Sequence, residues 1–135
     1  MLIDNKIISV LTIKDYKKSL DLAKCLYDSG IVNLDIRLRT QQSKKAIELI
    51  KNSKFKFNIG IGTVLSLEDL YFVKSLGIKY AYSPNTDVKI LNNANKLDIQ
   101  FIPGISNIDN VISAVKCNCK YLKYLHYYRV RIPNR

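Results

Sequence analysis

The chain has 135 residues, 47% of them hydrophobic, which allows one domain with a buried core and argues against disorder. No apolar run approaches the ~18 residues of a membrane span, and residues 1–6 lack the apolar stretch of a signal peptide, so we expect a cytoplasmic protein. Cys25, Cys117 and Cys119 include no CxxC pair, which predicts buried or half-buried thiols and neither a disulfide framework nor a zinc site.

The net charge of +11 comes from 22 basic and 11 acidic residues. Such an excess suits a nucleic-acid partner, because Lys and Arg neutralise phosphates. It also suits a compositional bias, since Lys, Ile, Asn and Tyr are all abundant and the lysines are spread along predicted helix faces. We favour compositional bias as the cause of the charge and do not expect a nucleic-acid partner. A basic nucleic-acid-binding module is kept as an alternative. The charge would still attract anionic substrates.

Short apolar runs alternate with helix-like segments along the chain. Short β-branched runs are typical of buried parallel strands, and apolar residues three and four apart indicate helices. The predicted strands are 7–11, 31–38, 57–61, 79–82, 99–102 and 121–125. The predicted helices are 16–27, 42–52, one beginning after Ser66, 87–96 and 107–116.

Helix boundaries are marked by polar residues and glycine. Ser66 is a good N-cap with Asp69 three residues later, a weak form of the capping box. Gly77 is expected just past the end of the same helix. The last helix is capped by either Ser106 or Asn107, and the sequence leaves that choice open.

Repeated strand–helix units predict an α/β fold with a parallel sheet and outer helices, within one domain over 1–135. An open doubly wound sheet that binds dinucleotides would carry GxGxxG after its first strand, whereas residues 12–15 contain no glycine. A TIM-barrel-type (β/α)8 fold is therefore favoured.

The second predicted strand has one charged face. Asp35, Arg37 and Arg39 alternate with apolar residues, so they project to the same side. A charged face on a parallel strand is costly unless it lines a site, but an edge strand with a solvated face would look the same. Periodicity leaves both interpretations open.

The sixth predicted strand sets Lys123 among apolar neighbours. Apolar surroundings and nearby cations disfavour the protonated amine, and a neutral amine is the nucleophile that attacks a ketone to form a Schiff base. From the pattern alone, a surface lysine is the more common outcome. Gly60-Ile61-Gly62, which we expect as a turn after the third strand, would let a ligand approach the backbone, and Thr63 adds a hydroxyl.

Five segments in order and spacing resemble the aldolases of 2-keto-3-deoxy-6-phosphogluconate (KDPG) and 4-hydroxy-2-oxoglutarate (KHG). The segments are LDIRLRT (34–40), GIGTVL (60–65), YSP (82–84), FIPGIS (101–106) and YLKY (121–124). The likeness runs from about residue 7 to residue 123. It implies a trimer of (β/α)8 barrels that needs no metal or other cofactor and acts on small 2-keto acids.

The resemblance also implies residue roles. Lys123 would form the Schiff base with pyruvate or the 2-keto substrate, and the imine would accept the electrons of the broken C–C bond. Arg39 and Thr63 would bind the pyruvate carboxylate. Asp35 would relay protons through a water molecule. The products expected are pyruvate with glyceraldehyde 3-phosphate, or pyruvate with glyoxylate.

Some positions depart from the family pattern. Asp35 stands where the family has glutamate, and a shortened reach of this kind costs on the order of 100-fold in rate. Arg37 replaces a small polar residue, and His126 falls at a proline, which we interpret as drift. Beyond residue 123 the likeness ends, so we expect a barrel truncated after about six β/α units. Its activity would be impaired, or the chain would be a non-functional remnant.

Overall fold

The computed structural model describes residues 7–124, so the predicted end of the sixth strand at residue 125 and His126 lie outside the described residues. Its strands are β1 (Ser9–Leu11), β2 (Asn33–Arg37), β3 (Asn58–Gly62), β4 (Tyr80–Tyr82), β5 (Gln100–Ile102), β6 (Gly104–Ile105) and β7 (Lys123–Tyr124). Its α-helices are α1 (Ser19–Asp28), α2 (Ser43–Lys51), α3 (Leu67–Ser75), α4 (Val88–Lys96) and α5 (Ile108–Lys116), with a 3-10 turn at Tyr16–Lys18. The predicted alternation of strands and helices is confirmed.

The first five strands form one parallel sheet in the order β1-β2-β3-β4-β5. Each strand therefore lies beside the next strand in the sequence. A doubly wound sheet reverses its strand order at a switch point, whereas a barrel wall adds strands in sequence. The order seen among residues 7–124 is that of a barrel wall.

Pro103 separates β5, which lies within the predicted fifth strand at 99–102, from β6, a short strand that was not predicted. Proline has no backbone N–H to donate to a ladder, so strand pairing changes there. β5 pairs with β4, and β6 pairs with β7 in parallel. The Lys123 amide donates to the Pro103 carbonyl at 2.9 Å, which anchors β7 beside the end of the fifth strand.

The main hydrophobic core lies between the sheet and its helices. Leu34 and Ile36 of β2 are almost fully buried there, as are Ile47 of α2 and Leu70 of α3. A smaller cluster on the opposite face of the sheet contains Tyr82 and Ile102, with Tyr80 and Tyr121 packed against it. We call this opposite face, which carries Asp35, Arg37, Tyr82 and Ile102, the inner face.

The capping predictions are largely confirmed. Ser66 Oγ accepts a hydrogen bond from the Asp69 amide at 3.1 Å, and Gly77 has a φ of +66° just past α3. The Asp69 carboxylate accepts a hydrogen bond from the Leu65 amide. In a standard capping box it would accept from the amide of the N-cap residue, Ser66, so the contact is displaced by one residue. Asn107 is the cap of α5, because its Oδ1 accepts from the Asn110 amide.

The cysteines differ in exposure. Cys117 is buried and Cys119 half-buried, as expected, but Cys25 is exposed, so the prediction was wrong for that residue. Burial raises the pKa of the Cys119 thiol to about 11, with a further contribution from Cys117, and the thiol is therefore protonated at neutral pH. Within residues 7–124, none of the helices is long and apolar enough to cross a membrane.

Candidate active site

The inner face brings together two residues that are 88 positions apart in the sequence. Lys123 Nζ on β7 lies 3.4 Å from Asp35 Oδ2 on β2. β2 lies between β1 and β3 and Asp35 is only 2% exposed, so the edge-strand interpretation of the charged face is wrong. The Lys123 side chain is 31% exposed and turned towards Asp35, which also excludes an outward-pointing surface lysine. The sheet must curve to allow this contact.

Asp35 is a buried carboxyl group with one paired oxygen. Its Oδ1 is buried and has no hydrogen-bond partner within the described part of the chain. Burial raises the pKa of the Asp35 carboxyl, and the attraction of Lys123, Arg37 and Arg39 only partly opposes this. A carboxyl group with a raised pKa exchanges its proton closer to neutral pH, as a general acid or base requires.

Two glycines of β3 make room for side chains on the inner face. A Cβ atom at Gly62 would lie 2.0 Å from Asp35 Oδ1, and one at Gly60 would lie 2.2 Å from Tyr82 Cε2. Both glycines pair within the β2–β3 ladder, so the predicted Gly-Ile-Gly turn is wrong. Because these glycines lack side chains, they leave space for Asp35 of β2 and Tyr82 of β4.

Arg39 and Thr63 meet just beyond the ends of β2 and β3. Arg39 Nε donates a hydrogen bond of 3.2 Å to Thr63 Oγ1. Thr63 has a φ of +59°, a left-handed conformation that is strained for a β-branched residue. Such strain is typical of residues held in place at functional sites. The pair presents a guanidinium and a hydroxyl at the same end of the sheet.

Two cavities open on the inner face. The polar cavity, of about 40 Å³, is lined by Asp35, Arg37, Arg39, Thr63, Tyr82, Ser83, Pro84 and Lys123. The apolar cavity, of about 230 Å³, is lined by Ile8, Val10, Asp35, Tyr82, Ile102, Tyr121, Leu122 and Lys123. All four predicted site residues line the polar cavity, and Asp35 and Lys123 also border the apolar one. The described residues contain no cluster of three His, Cys, Asp or Glu side chains that could hold a metal ion.

Tyr82 is a cavity residue that the sequence reasoning missed. It is 6% exposed, and its ring centroid lies 6.0 Å from Lys123 Nζ. Burial, the Asp35 charge and Tyr80 raise the pKa of its phenol, so the hydroxyl keeps its proton. The available signal was the alternation Tyr80-Ala81-Tyr82, which places both tyrosines on one face of β4.

The comparisons with known proteins agree with this architecture. The model of the KDPG and KHG aldolase family matches residues 1–127. A 2-dehydro-3-deoxy-phosphogluconate aldolase of Pseudoalteromonas atlantica is 34% identical over 118 residues, which are 87% of this chain and 55% of that protein. The KHG/KDPG aldolase of Escherichia coli K12 is 29% identical, with the same coverage.

A solved structure is similar as well. The KDPG aldolase of Legionella pneumophila, with pyruvate captured at low pH as a covalent carbinolamine intermediate, has a TM-score of 0.77 and 32% identity. The match covers 82% of this chain and 53% of that one. The chain thus spans about half the length of the curated relatives it matches. The predicted TIM-barrel-type α/β fold is confirmed.

We predict that Gly62→Ala destabilises the protein through Asp35. The new Cβ would overlap Oδ1, and overpacking of this kind costs about 1–3 kcal/mol in the free energy of unfolding, measured in urea. In an Asp35→Ala background most of that cost should vanish, since the overlapping atom is gone. Gly60→Ala is the matched control, because it should be relieved by Tyr82→Ala and not by Asp35→Ala. If Gly62→Ala costs the same free energy of unfolding in the wild-type and the Asp35→Ala backgrounds, the overlap with Asp35 is contradicted.

The titration of Asp35 gives a second prediction. Carboxyl ¹³C NMR should show a midpoint above the ordinary aspartate value, and Lys123→Met should raise it further by removing the nearest cation. Lys24→Met is the control, because Lys24 is exposed and pairs with Asp28. Since the folded-state pKa is raised, the stability that Asp35 contributes is full below its unfolded pKa and is lost as pH rises through the folded value. A midpoint at or below the ordinary value would contradict this account.

Proposed function

We propose, because the chain belongs to the KDPG and KHG aldolase family, that it is a class I aldolase. Its reactions would be the reversible cleavage of KDPG to pyruvate and glyceraldehyde 3-phosphate, and of KHG to pyruvate and glyoxylate. The observation that carries the proposal is the contact between Lys123 Nζ and Asp35 Oδ2 beside two cavities. Covalent catalysis of this type needs an amine nucleophile next to a group that moves protons.

Lys123 is the proposed nucleophile. Its neutral amine attacks the substrate C2 carbonyl carbon, and the carbonyl oxygen takes up protons and leaves as water, which gives the imine. The electron pair of the C3–C4 bond then flows into the protonated imine while the C4 hydroxyl loses its proton, so that C4 leaves as the carbonyl carbon of the aldehyde product and an enamine stays on Lys123. Protonation at C3 and hydrolysis by water return pyruvate and the free amine. The carbinolamine held by the Legionella pneumophila relative supports this route by analogy.

Asp35 is the proposed proton carrier. Its Oδ2 lies within reach of Lys123 Nζ, and its unpaired Oδ1 leaves an acceptor available to a water molecule. Its raised pKa suits it to take the C4 hydroxyl proton through that water and to return a proton at C3. Tyr82, whose hydroxyl keeps its proton, lines the same cavity beside the pair.

Arg39 and Thr63 are the proposed carboxylate-binding residues. Their side chains already lie within hydrogen-bond distance of each other, so a carboxylate that bridges them needs little rearrangement. Arginine suits a carboxylate because two parallel N–H groups can bind both oxygens. This anchor would hold the keto carbon next to Lys123, where the polar cavity connects the two groups.

Several wider properties are part of the same proposal. We infer a single domain, a cytoplasmic homotrimer and small 2-keto acids as partners. The comparisons do not favour a remnant or a nucleic-acid-binding module over an aldolase.

Borohydride reduction in the presence of pyruvate tests the proposal. The folded chain should gain the mass of one reduced pyruvate adduct, and peptide mapping should place it on Lys123. Lys123→Met should lose the adduct, whereas Lys120→Met, which removes an exposed lysine three residues earlier, should keep it. Arg39→Gln should lower the yield at limiting pyruvate by about 10-fold or more, because it removes a charged hydrogen bond to the carboxylate. No adduct on a chain with a native circular dichroism spectrum would refute the proposal.

A further inference from the structure

Arg37 is a cation in the polar cavity to which the proposed reaction assigns no task. It is the last residue of β2, lines the same cavity as Asp35 and Arg39, and is half-buried. Arg39 has Thr63 as a hydrogen-bond partner, but Arg37 makes no hydrogen bond or salt bridge with another residue of the described chain. The nearby carboxyl that attracts Arg37 is Asp35, which also attracts Lys123 and Arg39. A partly buried guanidinium that shares one carboxyl group with two other cations indicates a place for a second anion.

The charges around the polar cavity also indicate an anion site. Arg37, Arg39 and Lys123 are three cations, and Asp35 is the one acidic side chain among the residues that line it. The carboxylate of pyruvate, bound at Arg39 and Thr63, would leave the positive charge at Arg37 uncompensated. A substrate with a second carboxylate would compensate it inside a confined space, where the desolvated pair is strong.

The positions of the two arginines suit such a substrate. Arg37 is the last residue of β2, Arg39 follows two residues later, and both side chains line the polar cavity. Residues two apart in a chain have Cα atoms at most about 7 Å apart. An acid whose two carboxylates are separated by three carbons can therefore bind one carboxylate at Arg39 and the other at Arg37.

We propose that Arg37 binds the distal carboxylate of the substrate, so that the site selects five-carbon 2-oxo dicarboxylates over 2-oxo acids with one carboxylate. The proposal rests on the proposed function, whose substrates include one acid of this class. Arg37 thereby becomes a specificity-determining residue, distinct from Arg39, which binds the carboxylate next to the keto group.

Calorimetric titration of the full chain tests this inference. Wild-type protein should bind 2-oxoglutarate about 10- to 100-fold more tightly than 2-oxopentanoate, which has the same length and one carboxylate, because a charged hydrogen bond is worth that much. Arg37→Gln should reduce the affinity ratio to near one. Arg37→Lys, which keeps the charge and loses the planar fork, should give an intermediate ratio. Arg39→Gln should weaken both acids and keep the ratio.

Failure of this inference can be told apart from failure of the proposed function. A ratio near one in wild type, or one that Arg37→Gln leaves unchanged, overturns the role of Arg37 even if borohydride traps pyruvate on Lys123. The titration is repeated with Lys123→Met, which binds without forming an imine. A preference for 2-oxoglutarate that persists there supports the anion site even if no adduct ever forms.

Discussion

The contact between Lys123 and Asp35 constrains much of the rest of the fold. A buried carboxylate is costly unless a cation or a proton satisfies it, and here the cation comes from the last described strand. The sheet has to curve far enough for β7 to face β2, and Gly62 has to lack a side chain so that Asp35 fits. Pro103 contributes by ending one ladder and letting β7 pair beyond it. The curvature of the sheet, the glycine at position 62 and the proline at position 103 together allow Lys123 and Asp35 to meet.

Much of the fold could be predicted because it follows from local patterns. Six apolar runs separated by helical periodicity gave parallel strands, and Ser66 and Gly77 marked the ends of α3 correctly. The glycines of β3 were misread as a turn, since sequence alone does not reveal which side chains approach a glycine from other strands. Tyr82 and Asp35 occupy that space, and both come from neighbouring strands of the sheet.

The site was only partly predictable for the same reason. Alternation placed Asp35, Arg37 and Arg39 on one face of β2, but it did not say whether that face was buried. The answer depends on β1 and β3 flanking the strand, a property of the whole sheet. Likewise Lys123 alone had the pattern of a surface lysine. Its partner lies 88 residues away, and the resemblance to a family supplied the link that periodicity lacked.

The most direct test of the Lys123–Asp35 pair is the exchange of pyruvate methyl protons in D₂O, followed by proton NMR. Exchange requires an imine on Lys123 and a group that moves the C3 proton, and it requires no aldehyde. The account predicts exchange by the wild-type chain and a loss of about 100-fold or more in both Lys123→Met and Asp35→Asn, in line with the usual contribution of a positioned acid–base group. Wild-type exchange rates in a folded Lys123→Met or Asp35→Asn variant would contradict it.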